Sequence, residues 1–248
     1  MAKVLSLTLA AEQQLSFRHC GPAAIRMILS NVGAIASQAD LWTAVTLNSA
    51  GGTVKPTNGS LVLLFEKQVC HQCTAWYCWY TTPEAMAATI TQRSSFGKRA
   101  VAWYPNTGDK AVTDLIASLE RAAPFPPAAT VYGSNHWVVV NGYHLEDPSL
   151  PGAPPIVIGN RKVNGLYVMD PFEGPTPVVT FYKATVFRSM LKSIDCGPRL
   201  DRYPIVVGRD SLMVVKLWLY LWRWARPGPA PWPPPWPWRR NSSPIGRA

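Results

Sequence analysis

The chain has 248 residues, of which 48% are hydrophobic and only 15% are charged. This composition excludes a chain that is disordered throughout and supplies enough apolar surface for one large core. The formal net charge of +10 is uneven, because residues 199–248 contain nine Lys or Arg and only two Asp or Glu. We therefore expect no nucleic-acid groove in the main domain, and any anionic partner should bind the tail.

Helical patterns dominate the first half of the chain. Apolar residues at helical spacing, with cap residues and prolines at the expected ends, predict helices over Pro22–Asn31, about Gln38–Leu47 and Pro83–Arg93. Thr82 is the predicted cap of the third helix. Asp109 is predicted to cap a fourth helix, which Pro124 prevents from continuing.

Strand patterns dominate the second half. Short runs rich in Val, Ile and Tyr are separated by Gly, Asn, Asp and Pro, which is typical of β structure. Helices followed by strands predict an α+β domain with two lobes, which we place at residues 1–205. The predicted strands are Arg99–Tyr104, Ala129–Tyr132, Trp137–Tyr143, Ile156–Ile158, Leu166–Met169 and Val178–Tyr182.

The N-terminus and the cysteine count indicate the compartment. The first apolar run is short and reaches Glu12 too soon for a secretory signal, so we predict a cytoplasmic protein. Five cysteines are an odd number, so at least one thiol is free. They are Cys20, Cys70, Cys73, Cys78 and Cys196.

Cys20 lies at the N-terminal edge of the first predicted helix. A helix N-terminus and a neighbouring imidazolium both stabilise a thiolate, the nucleophilic form of cysteine. His136 is the best partner among the four histidines, because it opens the apolar strand that begins at Trp137 and a strand holds a side chain rigidly. The other three, His19, His71 and His144, fit surface or packing positions better.

A catalytic imidazole also needs an acceptor that fixes its tautomer. Asp170 follows a predicted strand and precedes Pro171, which places its carboxylate at a strand end. Asp147 is the competing candidate, although no strand closely precedes it. Asp170 is therefore the predicted partner of His136.

Three segments resemble the papain-like cysteine peptidases that process bacteriocin leaders at a double-glycine site. The segments are Gln14-Leu-Ser-Phe-Arg-His-Cys20-Gly-Pro, Asn135-His136-Trp137 and Tyr167-Val-Met-Asp170-Pro171, and the resemblance spans about residues 13–191. It implies a stand-alone relative without transporter domains, with a helical N-terminal lobe and an antiparallel β C-terminal lobe.

The resemblance also implies a role for each matching residue. Gln14 would donate to the oxyanion, Cys20 would be the nucleophile, His136 the base and then the acid, and Asp170 the residue that orients His136. The implied activity is hydrolysis of a peptide or protein substrate through a thioester, with no cofactor. Acyl or amide transfer by the same residues is one alternative, and a non-catalytic papain-like membrane-binding or interaction protein is another.

The remaining cysteines favour structural interpretations. Cys196 also begins a Cys-Gly-Pro sequence, but Met190 stands where a glutamine would be needed, so we interpret it as a turn. Cys70, Cys73 and Cys78 lie near His71, yet they lack a matching second pair and are interleaved with aromatic residues. We predict no metal site.

The tail differs from the domain in composition. Residues 206–226 predict an apolar and cationic helix, too short over its apolar part, 212–225, to cross a hydrocarbon core of roughly 30 Å. Residues 227–248, rich in Pro, Trp and Arg, predict a disordered extended segment. Residues 212–240 are therefore expected to bind an anionic membrane surface, unless they pack on the domain or engage a proline-binding module.

Overall fold

Antiparallel strand pairing organises the structure, a computed structural model of the chain. The chain divides into two units, residues 1–211 and 212–248, and every described residue belongs to the first. The described residues are 4–16, 19–49, 81–95, 98–121, 123–132, 136–145, 156–158, 161–173, 179–191, 193 and 201–210.

Helices and strands alternate along the chain, whereas the sequence predicts mainly helices in the first half and strands in the second. The helices are α1 (Cys20–Val32), α2 (Gln38–Ser49), α3 (Pro83–Arg93), α4 (Gly108–Leu119) and α5 (Ala184–Met190). The strands are β1 (Val4–Ser6), β2 (Lys98–Trp103), β3 (Ala128–Val131), β4 (His136–Leu145), β5 (Ile156–Ile158), β6 (Arg161–Met169), β7 (Val179–Lys183) and β8 (Ile205–Asp210).

Within the described residues, these strands form one sheet in the order β2-β8-β3-β4-β6-β5, with β1 paired to β4 and β7 paired to β6. All of these pairings are antiparallel. The predicted α+β class, with helices and an antiparallel sheet, is therefore confirmed.

Helices cover both faces of the sheet, and β4 shows this in its sequence. Trp137 and Val139 belong to the core formed with α1, α2 and α3, whereas Val138 and Val140 belong to the core formed with α4 and α5. A strand buried on both faces has a continuous apolar run rather than an alternating one. The run from Trp137 to Val140 therefore reflects a central position.

An irregular segment, residues 7–16, connects β1 to the residues before α1, and we call it the strap. Its first residue bonds to β4, where Leu7 N–H donates to Asn141 O at 2.7 Å. Farther along, Ala10 N–H donates to Ser30 Oγ on α1 at 2.9 Å. Because the strap is not a strand of the sheet, individual hydrogen bonds such as these determine its conformation.

The helix predictions differ from the structure mainly at their ends. Thr82 caps α3 as predicted, and its side chain accepts from Ala85 N–H at 3.2 Å. The predicted cap of α4 is wrong, because Thr107 accepts from Lys110 N–H at 3.1 Å. Asp109 instead lies in the first turn and pairs with Arg188 at 2.9 Å.

The C-terminal part of the first unit also differs from expectation. The sequence predicts residues 206–210 as the start of a C-terminal helix, but they belong to β8, which pairs with β2 and β3. The rest of the predicted helix and the Pro/Trp/Arg-rich segment lie outside the described residues. Over the part of the chain that is described, no helix combines the length and apolar character needed to span a bilayer.

Candidate active site

Cys20 is the first residue of α1, so its thiol lies at a helix N-terminus. Its side chain is buried, and the residue is only 7% exposed. The first helical hydrogen bond joins Ala23 N–H to His19 O at 2.9 Å, which leaves the amides of Cys20 and Gly21 without an intrahelical acceptor. The side chain of His19, the cap residue, makes no capping hydrogen bond to these amides. The helix start therefore presents backbone donors beside the sulfur.

His136 and Asp170 are brought together by neighbouring strands. His136 is the first residue of β4, and Asp170 directly follows β6, which pairs with β4. Because Val139 lies opposite Met169 in this register, the strand start carrying His136 lies close to the strand end carrying Asp170. His136 Nε2–H donates to Asp170 Oδ1 at 2.6 Å.

The imidazole of His136 interacts with both Cys20 and Asp170. Burial lowers the pKa of His136, but hydrogen bonds to Asp170 and to Cys20, together with their negative charges, outweigh burial and raise that pKa to about 9. Since Asp170 occupies Nε2, the nitrogen left for the Cys20 side chain is Nδ1. The imidazole thus lies between a thiol and a carboxylate.

Asp170 is itself fixed by a backbone donor. Phe172 N–H donates to Asp170 Oδ1 at 2.8 Å, and the residue is 8% exposed. A carboxylate held at a buried strand end keeps the imidazole in one orientation and one tautomer.

Gln14 lies beside the turn that carries Asp170. Its backbone N–H donates to Pro171 O at 2.9 Å. Its side-chain Oε1 is buried and has no hydrogen-bond partner among the described residues. Rotation of the amide by 180° exchanges oxygen and nitrogen, so the same position can hold a donor. Buried polar atoms without partners are rare in folded proteins and occur at functional sites.

Two exposed aromatic rings, which the sequence patterns do not predict, flank the imidazole. Tyr132 is 54% exposed and stacks on His136 with ring centroids 6.5 Å apart. Phe172 is 68% exposed and meets His136 edge-on at 6.3 Å. Tyr132 also has φ 54°, a left-handed backbone that aromatic residues rarely adopt. The left-handed backbone would have marked Tyr132 as an unusual residue, but it cannot be inferred from a sequence.

Gly21, between Cys20 and Pro22, is in close contact with Thr81. A Cβ atom at Gly21 would lie 2.1 Å from Thr81 Oγ1 and 2.4 Å from Thr81 Cβ. Thr81 is in turn held by β4, because Trp137 Nε1–H donates to Thr81 O at 2.9 Å. The glycine after the cysteine therefore allows the helix start to approach the segment that packs on β4.

Several predicted residues of interest lie outside the described residues. They are Cys70, His71, Cys73, Cys78, Asn135, Asp147 and Cys196. Within the described ranges, no group of three His, Cys, Asp or Glu side chains is placed to hold a metal ion. The other two predicted surface or packing histidines are part-buried: His19 bonds Ser16 Oγ at 2.7 Å, and His144 lies 6.2 Å from the ring of Phe181.

The structure thus brings Cys20, His136 and Asp170 into one connected group, with Gln14 at its edge. A thiol beside an imidazole that is oriented by a carboxylate is suited to nucleophilic attack on a carbonyl. The first backbone amides of α1 are donors at the same helix end as the Cys20 thiol.

Comparison with solved structures finds chains that are similar to this protein. No family model matches the chain, and no curated protein matches it. Among solved structures, the chain is similar to a double glycine motif protease from an AMS/PCAT transporter in complex with the leader peptide. The similarity covers 84% of this chain and 95% of that chain, with 13% identity and a TM-score of 0.38. Functional assignment therefore depends on the residues of the site.

Proposed function

We propose that the protein is a cysteine peptidase that cleaves peptide bonds through a thioester at Cys20. The observation that carries the proposal is the position of His136, which hydrogen-bonds Asp170 at 2.6 Å and whose pKa is raised by both Asp170 and Cys20. The proposal includes the papain-like, two-lobed arrangement implied by the sequence resemblance. Its supports are the cysteine on a helix, the histidine at the start of β4 and the aspartate directly after the adjacent strand β6.

The raised pKa of His136 supports the first chemical step. With a pKa of about 9, the imidazole is mostly protonated near neutral pH, and an imidazolium is the charged neighbour that stabilises the nucleophilic form of a cysteine. The thiolate attacks the substrate carbonyl, and a carbon–sulfur bond forms while the carbonyl oxygen becomes negative. Donors at the start of α1 and the Gln14 amide stabilise this oxyanion.

The second step uses the proton on His136. The imidazolium protonates the leaving amine as the carbon–nitrogen bond breaks, and it then accepts a proton from the water that hydrolyses the thioester. Asp170 keeps the imidazole oriented throughout. The exposed rings of Tyr132 and Phe172 lie beside His136, and we assign them contact with the leaving-group side of the substrate, where the proton is delivered.

The experiment combines thiol labelling with peptide cleavage. Iodoacetamide labelling at pH 7 is followed at each cysteine by peptide mass spectrometry, and a mixed peptide library is searched for new termini. Wild-type protein should label fastest at Cys20 and should cleave peptides. Cys20→Ala should lose cleavage, and His136→Ala should label more slowly at Cys20.

Cys196→Ala is the matched control, since Cys196 also begins a Cys-Gly-Pro sequence. It should retain both Cys20 labelling and cleavage. Equal Cys20 labelling rates in the wild type and in His136→Ala would overturn the proposal. If peptides are cleaved only when an amine is added, and the amine appears in the product, acyl transfer replaces hydrolysis as the reaction.

A further inference from the structure

Gln38, the first residue of α2, bonds to the strap on both sides of Gln14. It is 2% exposed. Its Oε1 accepts from Leu15 N–H at 3.0 Å, and its Nε2 donates to Gln13 O at 2.6 Å. The two backbone groups that it binds belong to the residues immediately before and after Gln14. One buried side chain therefore fixes the peptide groups that orient Gln14.

The same side chain is linked to the helix of the nucleophile. Gln38 Nε2 also donates to Glu12 Oε1 at 2.7 Å, and Glu12 Oε2 accepts from Arg26 Nε on α1 at 3.0 Å. Together with the bond from Gln14 N–H to Pro171 O, these contacts tie the strap to α1, α2 and the turn of Asp170. The position of Gln14 is thus set relative to both Cys20 and His136.

The presence of a glutamine rather than an apolar residue at the buried position 38 is explained by its bonds to the strap. A buried primary amide costs free energy unless its polar atoms are bonded, whereas an apolar side chain would fill the same volume without that cost. The start of α2 is already stabilised by Ser37, whose Oγ accepts from Asp40 N–H at 3.1 Å. Capping therefore does not account for Gln38, and all three of its side-chain hydrogen bonds go to the strap.

We propose that Gln38 is a positioning residue that holds Gln14 in the geometry needed to stabilise the oxyanion. The role rests on the proposed function, since it acts on the Gln14 donor of that mechanism. Gln38 does not touch the reacting atoms, and its effect passes through the backbone of residues 13–15.

The test compares a reaction that forms an oxyanion with one that does not. p-Nitrophenyl acetate transfers its acetyl group to the Cys20 sulfur through a tetrahedral oxyanion and releases p-nitrophenolate. Iodoacetamide alkylates the same sulfur by displacement of iodide, with no oxyanion. The rates of both reactions at Cys20 are measured in the full chain, with Cys20→Ala as the background, and their ratio isolates oxyanion stabilisation.

Gln38→Met keeps the side-chain volume and removes both polar functions. Because a misplacement near 1 Å can cost on the order of 100-fold, we expect acetylation to fall at least about tenfold. Alkylation at Cys20 should change less than about twofold, since the displacement develops no oxyanion to stabilise. Gln92→Met is the matched control, because Gln92 donates to Asn48 at 3.0 Å on an exposed surface, and it should leave both rates unchanged.

A double variant separates positioning from general damage. If Gln38 acts through Gln14, then Gln14→Ala with Gln38→Met should lose no more acetylation than Gln14→Ala alone. Additive losses, equal losses in acetylation and alkylation, or no loss in Gln38→Met would each overturn the inference. Wild-type protein that is not acetylated at Cys20 would instead overturn the proposed function.

A second variant is needed in case the Gln38→Met protein does not fold, which would be seen as the absence of a cooperative unfolding transition. Glu12→Met keeps a side chain of similar length and removes both oxygens that accept from Gln38 and Arg26. It should lower the acetylation-to-alkylation ratio in the same direction and by a smaller factor. An unchanged ratio in this variant would also contradict the role of Gln38.

Discussion

His136 receives its two partners from distant parts of the sequence. Asp170 arrives through the pairing of β4 with β6, and Cys20 arrives through the packing of α1 against β4. Burial alone would favour a neutral imidazole, but the hydrogen bonds and negative charges of these partners reverse that effect on the pKa of His136. The charge state of His136 therefore depends on both partners.

We predict that NMR titration of the His136 ring, assigned with His136→Gln, gives a pKa near 9 in the wild type. Asp170→Asn should lower this pKa more than Cys20→Ala does, because the hydrogen bond to Asp170 opposes burial more strongly than the bond to Cys20. A wild-type pKa at the ordinary value of 6.5 would contradict the pairing.

The same shift links folding stability to pH. The pKa of His136 is higher in the folded chain than its ordinary value of 6.5, so protonation favours the folded state. This contribution is fully present below pH 6.5, decreases as pH rises and is lost above about pH 9.

At the scale of secondary-structure elements, the start of α1 depends on the close approach of Gly21 to Thr81. Gly21→Ala would place its Cβ 2.1 Å from Thr81 Oγ1, so either the helix start or Thr81 must move. We expect urea denaturation to show a loss of about 1–3 kcal/mol in the free energy of unfolding, typical of overpacking. Slower alkylation of Cys20 should accompany it, because the sulfur is attached to the displaced turn.

Gly108→Ala is the matched control, because Gly108 is also in the first turn of a helix. Its new Cβ would lie 3.1 Å from Cγ of the exposed Arg188 side chain, which can move aside. Stability should change by less than about 0.5 kcal/mol. Thr81→Gly, which removes the three nearest atoms, should restore much of the stability lost in Gly21→Ala. Equal losses from Gly21→Ala and Gly108→Ala would contradict the packing argument.

Elements with local signals could be predicted from the sequence. The bounds of α3 follow from Thr82 as the cap and Pro83 in the first turn, which act within a few residues. The end that was predicted wrongly is the start of α4, where Thr107 and Asp109 are both good cap residues and only the backbone geometry decides between them.

One element that depends on distant pairing, β8, is predicted wrongly. β8 is stabilised by β2, about a hundred residues earlier, and its Val206, Val207 and Arg209 resemble the start of the apolar tail. The candidate site likewise contains residues that the sequence predicts and a residue that only the folded structure identifies. Cys20, His136 and Asp170 follow from motif order, whereas Gln38 could not be identified because its contacts exist only after α2 packs against the strap.

At the scale of the whole molecule, the distribution of charge distinguishes the two units. Residues 212–248 contain six basic residues and no acidic residue: Lys216, Arg223, Arg226, Arg239, Arg240 and Arg247. Tryptophan and arginine are the side chains that favour a lipid interface, and a cationic segment is attracted to anionic headgroups. The membrane hypothesis for residues 212–240 therefore predicts binding that depends on both residue types.

The full chain should co-sediment with vesicles containing phosphatidylglycerol, less so at high salt, and weakly with phosphatidylcholine alone. Since each basic residue near an anionic surface contributes about 1 kcal/mol, Arg239→Gln with Arg240→Gln should weaken binding by roughly 30-fold. The matched control is Arg99→Gln with Arg209→Gln, which removes the same charge from two exposed, cross-strand neighbours in the first unit. If both pairs of substitutions weaken binding equally, the net charge of the protein rather than the tail is responsible. If neither pair weakens binding, the membrane hypothesis fails. Alkylation of Cys20 should be unchanged in all of these proteins.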